Sequence, residues 1–142
     1  MTPALRRWTW ATTAAVVATG GVFAWMAYGM TPADPFAAVN HPWQPATLHA
    51  HVLTAALWLV VFGALWPAHI VPNLRARAPA RRRSGLAVLA SAIAMASSGY
   101  LLQVSVDDTW RSAWCAAHLV ASAVFVVLLI VHLLAGRRVA TR

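Results

Sequence analysis

Charge is nearly absent from four long segments of this chain. Uncharged runs of 26 residues lie between Arg7 and Asp34, 40 between Asp34 and Arg75, 23 between Arg83 and Asp107, and 25 between Arg111 and Arg137. A helix needs roughly 20 consecutive apolar residues to cross a bilayer. The second run opens on a proline-rich stretch, Thr31 to Pro45, which reads as loop and leaves about 24 apolar residues for one span. Four spans are therefore expected, at about 10–30, 48–71, 84–106 and 113–136. In hydrocarbon every backbone N–H and C=O must find its partner inside the chain, so such runs fold as helices. The expected fold is all-α, a four-transmembrane-helix bundle forming one membrane domain over residues 1–142.

Composition agrees. The chain is 61% hydrophobic and only 10% charged, which is outside the range of soluble globules. The first run also has the outline of a signal peptide, with Arg6 and Arg7 ahead of it and Ala27-Tyr28-Gly29 as a weak cleavage site. Its apolar core is longer than a signal h-region, so it reads as the first helix.

A net charge of +8 invites a nucleic-acid reading, but the placement of the charges argues against it. Arg6 and Arg7 precede the first span; Arg75, Arg77, Arg81, Arg82 and Arg83 separate the second from the third; Arg137, Arg138 and Arg142 follow the fourth. In a four-pass topology these all fall on one side, while Asp34, Asp107, Asp108 and Arg111 fall on the other. The positive-inside rule then puts both termini and the Arg-rich loop 73–83 in the cytoplasm. Membrane lipid, not nucleic acid, is the expected contact of these arginines. A chain rich in Arg and Ala and without Lys suggests a GC-rich bacterial genome, hence the bacterial inner membrane. The lone Cys115 provides neither a disulfide nor a thiolate cluster.

The chemistry lies in the histidines. His51 and His69 sit in the second span, and His118 and His132 in the fourth. At 100° per residue, the 18 residues from His51 to His69 make five full turns, and the 14 from His118 to His132 fall about 40° short of four. Each helix thus shows two imidazoles on one face, one near each end. The two spans run in the same direction, so His51 and His118 share the periplasmic end, and His69 and His132 the cytoplasmic end. Two imidazole pairs stacked through a membrane suit two bis-histidine haems. The rises differ, about 27 Å against about 21 Å, a mismatch that tilt or a bend at Pro67 would absorb.

Neighbouring residues fall into supporting places. His49 lies 200° from His51, on the opposite face, and suits a propionate contact or a plain interfacial position. Arg111, the one periplasmic arginine, pairs with Asp107 or Asp108, or with a propionate. The third span is rich in small residues that favour close helix packing, and Gly99 among them leaves room for a flat macrocycle. Gly20-Gly21 in the first span likewise permits close approach. The fourth span repeats the second in outline. Counted from the first histidine of each, position +4 is small (Ala55, Ser122), +7 aromatic (Trp58, Phe125) and +11 bulky (Phe62, Leu129).

The His118/His132 spacing resembles that of membrane di-haem b-type cytochromes. The four-helix plan is similar to the membrane haem subunits of formate dehydrogenase and hydrogenase. The stretches His41-Pro42-Trp43-Gln44-Pro45 and Ser98-Gly99-Tyr100-Leu101-Leu102-Gln103 resemble those of small bacterial membrane proteins of this class, and the likeness covers roughly residues 40–136. It implies two non-covalent haems b (or one), ligated by His51, His69, His118 and His132, and electron transfer to or from quinone or a redox partner protein. Such a chain is an electron-transfer subunit more than a stand-alone enzyme. Two other readings stay open: a haem-free structural or assembly subunit whose histidines are ordinary polar contacts, and a metal-handling membrane protein for copper or zinc.

Overall fold

The computed structural model describes the chain apart from residues 33, 77, 78, 141 and 142; for residues 79–81 and 136–140 it describes the backbone alone. Arg77 and Arg142 therefore lie outside the described residues, as do the side chains of Arg81, Arg137 and Arg138. Every regular element among the described residues is helical. They form two compact units, Met1–Arg75 and Ala76–Arg142, and each is a helical hairpin.

In hairpin 1, α1 spans Pro3–Ala24. It starts about two turns before the apolar run because its first residues specify a helix start. The Thr2 hydroxyl oxygen accepts from Leu5 N at 3.2 Å, and Pro3 takes the first position, where its missing N–H costs nothing. A π turn, Trp25–Gly29, ends this helix. The Trp25 ring lies across Gly29, where an added Cβ would stand 2.7 Å from Trp25 Cε3; only glycine leaves that space.

The loop of residues 30–43 is shorter than the proline content suggests, because α2 already begins at Gln44 (Gln44–Leu65) with Pro45 in its first turn. Asn40 ties the loop to both helices: its side-chain amide donates to the Ala27 carbonyl at 2.9 Å, and its N–H donates to Gln44 Oε1 at 3.1 Å. A second π turn, Trp66–Ile70, and the short α3, Val71–Arg75, follow. Pro67 has no N–H to donate. The ladder re-forms one residue wider, with Val71 N bonding Trp66 O.

In hairpin 2, α4 (Pro79–Val104) and α5 (Asp108–Ala140) are joined by only Ser105–Asp107. The sequence reading left Asp107 to Arg111 as loop, but only Asp107 remains outside the helix. Its carboxylate accepts from Trp110 N at 3.0 Å, an N-cap that draws residues 108–111 into the first turn.

The interior of each hairpin is small: Val16 and Trp58 in the first, Ala92 and Phe125 in the second. These aromatics are the +7 positions of the two histidine-bearing helices. Trp58 donates its indole N–H to Thr13 Oγ1 at 3.0 Å and stacks on Phe62 with ring centroids 4.9 Å apart. Large apolar side chains otherwise point outward, among them Leu53, Val60, Val120 and Val127. A surface of that kind suits lipid, not water.

The hydroxyls obey the same solvent. Thr12, Thr19, Thr54, Ser98 and Ser105 each donate to the carbonyl four residues back, at 2.7–2.9 Å, so none needs water. Four helical stretches are long and apolar enough to cross a membrane: Pro3–Gly29, Gln44–Arg75, Arg82–Val104 and Asp108–Ala135. The chain is a multi-pass membrane protein.

Candidate functional site

The intramembrane histidines do not simply face a neighbouring helix; three of them fill the same kind of niche. In hairpin 1 the His51 ring packs on Gly20 of α1, where an added Cβ would come within 2.8 Å of His51 Cε1. The residue before that glycine, Thr19, sets its hydroxyl oxygen 3.2 Å from His51 Nδ1. Thr54 Oγ1 stands 3.1 Å from the same oxygen.

In hairpin 2 the His118 ring packs on Gly99 of α4, where an added Cβ would come within 2.9 Å of His118 Cε1. Ser98 Oγ lies 3.4 Å from His118 Nδ1, and the Met95 carbonyl oxygen 3.0 Å from it. Further along α5, His132 lies beside Gly85, 3.5 Å from where a Cβ would stand, and Ser84 Oγ is 2.9 Å from His132 Nδ1.

A Ser/Thr-Gly dipeptide therefore meets each of His51, His118 and His132. The glycine admits the ring edge, and the hydroxyl before it takes the inner nitrogen. In hairpin 2 the arrangement repeats along two antiparallel helices: Ser84 and Ser98 are 14 residues apart, as are His118 and His132. Spacing on one helix thus meets the same spacing on the other.

These contacts constrain the ring proton. A carbonyl only accepts, so His118 Nδ1 carries the hydrogen and donates it to Met95, which leaves the lone pair of the neutral ring on Nε2. The Thr19 hydroxyl donates its hydrogen to Ala15 O at 2.8 Å, and its oxygen accepts from His51 Nδ1. Imidazoles that ligate a metal normally show this pattern, with the second nitrogen held by a carbonyl or hydroxyl and the first presented outward.

His69 differs. The π turn of residues 66–70 contains it, so the count of 100° per residue from His51 does not carry through to it. Asn73 Nδ2 donates to the His69 carbonyl at 2.6 Å and stands 3.2 Å from His69 Nδ1. Its contact is thus with its own helix and not with α1.

The remaining expected residues are placed as follows. His49 is exposed, while His51, two residues on, turns toward α1, so the two occupy opposite faces as expected. Arg111 is exposed near the start of α5. Gly99 does accommodate a flat ring, namely the imidazole of His118. His41 Nδ1 accepts from Trp43 N at 3.1 Å within the loop.

Thr19, Gly20, Ser84, Gly85 and Ser98 were not singled out as site residues from sequence. Their signal was the dipeptide itself, repeated at the histidine spacing.

Among the described residues no three His, Cys, Asp or Glu side chains gather into a group able to hold a metal ion. A bare copper or zinc ion draws three or four donors from the protein. A haem iron, coordinated by its macrocycle, needs only one or two. Imidazoles with a held Nδ1, seated over glycine, fit that smaller demand. Comparison with protein-family models, with curated proteins and with solved structures finds no match to this chain.

Proposed function

We propose that this chain is a b-type cytochrome-like membrane protein that passes electrons between quinone or redox partner proteins through two haems b. The axial ligands are His51 and His118 for one haem, and His132 with His69 for the other. The observation that carries the reading is the repeated niche: imidazoles in two separate hairpins, each seated on a glycine with Nδ1 held by a hydroxyl or carbonyl. Imidazoles in a bilayer are costly, and this one arrangement recurs three times.

When bound, the haems supply the one-electron chemistry. The chain's own residues do the rest. The hydroxyls and the Met95 carbonyl fix ring orientation, and Trp58 and Phe125 keep each hairpin dry. Arg111 and His49, exposed near the starts of their helices, suit propionate carboxylates. The arginine distribution places both termini in the cytoplasm, in a bacterial inner membrane.

A second reading has its own support, because every niche is also a cross-helix hydrogen bond. In that reading the histidines staple two hairpins of a haem-free structural or assembly subunit. The deciding experiment is a reduced-minus-oxidised absorption spectrum of detergent-purified protein, with haem quantified per chain. Sharp low-spin b-type bands support the cytochrome reading. Folded protein that binds no haem under ample supply sinks it and leaves the staple.

A further inference from the structure

Aligning the hairpins on their equivalent histidines, His51 with His118, and on the glycines those rings cover, Gly20 with Gly99, brings further positions into register. Thr12 falls on Ser91, Thr13 on Ala92 and Trp58 on Phe125, and all six are buried. The hairpins are thus two copies of one plan. In that register His132 corresponds to Leu65, and Ser84-Gly85 to Leu5-Arg6. Hairpin 1 has no third niche. Its remaining intramembrane histidine, His69, is a different construction.

The difference reaches the ring proton. Asn73 Nδ2 is 2.6 Å from the His69 carbonyl oxygen. A carbonyl only accepts, so that edge of the amide is the NH2 and not the oxygen. The same nitrogen is 3.2 Å from His69 Nδ1, and Nδ1 is therefore the acceptor. The neutral His69 ring then carries its hydrogen on Nε2, the reverse of His118. An imidazole binds iron through a nitrogen lone pair. At His118 that pair is on Nε2. At His69 it is on Nδ1 and is directed at the residue one turn along its own helix.

We propose that His69 is a displaceable ligand, so that the haem held by His132 opens its sixth position, in the reduced state, to a small neutral π-acceptor molecule. The haem of His51 and His118 stays closed to the same molecule. For His69 to bind through Nε2, its proton must move from Nε2 to Nδ1 and the Asn73 contact must break; no electron is gained or lost in that exchange. A competing ligand needs neither change. This inference rests on the cytochrome reading, and its test separates the two.

The probe is carbon monoxide added to dithionite-reduced, detergent-purified full-length protein, with total haem counted separately. Two haems per chain are expected, of which one, half of the total, shifts its Soret band on adding carbon monoxide. His69→Ala and the milder His69→Gln leave that half unchanged. Asn73→Ala frees Nδ1 to take the proton, strengthens His69 and lowers the responding fraction.

Two haems that both refuse carbon monoxide, with His69→Gln opening one, overturn the proposal and leave the cytochrome intact. So do two haems that both respond, or a single haem lost on replacing His118 and indifferent to the gas. No haem at all overturns both. Independently of haem, 15N shifts of His69 in the folded haem-free protein are expected to show hydrogen on Nε2, and hydrogen on Nδ1 overturns the proposal.

Discussion

The two hairpins solve one problem with different materials. Each must seat a histidine between apolar helices, and each does so with a hydroxyl and a glycine on the preceding helix. Hairpin 1 builds the rest from polar contacts: Thr54 joins Thr19, and Trp58 donates to Thr13. Hairpin 2 replaces the second of these with Ala92 and Phe125, which share no hydrogen bond, and gives its histidine a backbone carbonyl as well. The shared part is therefore what the histidine requires, and the variable part is packing. Hairpin 2 adds a second niche on the same two helices, and hairpin 1 does not.

The largest effect expected is at the equivalent histidines. His51→Ala and His118→Ala should each abolish the same low-spin haem, read as loss of about one haem per chain by absorption. Loss from one variant and not the other breaks the equivalence. Next come the equivalent aromatics. Trp58→Ala and Phe125→Ala should each cost about 3–5 kcal/mol, measured by unfolding in a detergent titration.

The polar half of the comparison is sharper. Thr13→Ala leaves the Trp58 N–H buried without its acceptor and should cost about 1–3 kcal/mol. Adding Trp58→Phe to that variant should recover part of the loss. No rescue of this kind is expected from changes at Ala92 in hairpin 2.

The glycines test the seats themselves. An alanine at Gly20 or Gly99 places a Cβ within 3 Å of an imidazole carbon, whereas at Gly85 it meets His132 at 3.5 Å, ordinary contact. The rings can swing aside, so stability should change by about 1 kcal/mol or less. The ligand field should respond more, as altered electron paramagnetic resonance g-values for Gly20→Ala and Gly99→Ala. Gly85→Ala should be silent.

The smallest effect is at the hydroxyls. Thr19→Val removes the printed acceptor of His51 Nδ1 and should raise the haem midpoint potential, because a less polarised imidazole stabilises ferric iron less. Ser98→Ala should raise it less, since the Met95 carbonyl remains. A reversed order in a redox titration would show that the hydroxyl, not the carbonyl, governs His118.

Sequence periodicity reached most of the scaffold. It located the four spans, put His49 and His51 on opposite faces, and picked out Trp58 and Phe125, which proved to be the buried aromatics. It marked Gly99 as making room, though the room turns out to be used by His118. Periodicity describes one helix at a time, however, and cannot say what stands opposite. Thr19, Ser84 and Ser98 looked like packing residues because their part appears only when a second helix brings an imidazole to them.

Helix starts were misjudged for a related reason. Thr2, Gln44-Pro45 and Asp107 act through local caps and first-turn geometry, which hydrophobic runs do not record. The π turn at His69 was hidden as well. Pro67 signalled a bend, but the widened ladder that changes the register of His69 depends on how the backbone recovers after it.

The order of elements within each hairpin has a consequence for biosynthesis. The helix that carries the hydroxyl always precedes the helix that carries the histidine: Thr19 before His51, Ser84 and Ser98 before His118 and His132. Each hydroxyl already donates within its own helix or waits as a small group, so the first helix of a pair can enter lipid alone at little cost. The imidazole is the expensive passenger. By the time a ribosome releases it to the membrane, its acceptor is already there. In the second hairpin, only Ser105–Asp107 separates the two helices, and the wait is shortest where two histidines must be received.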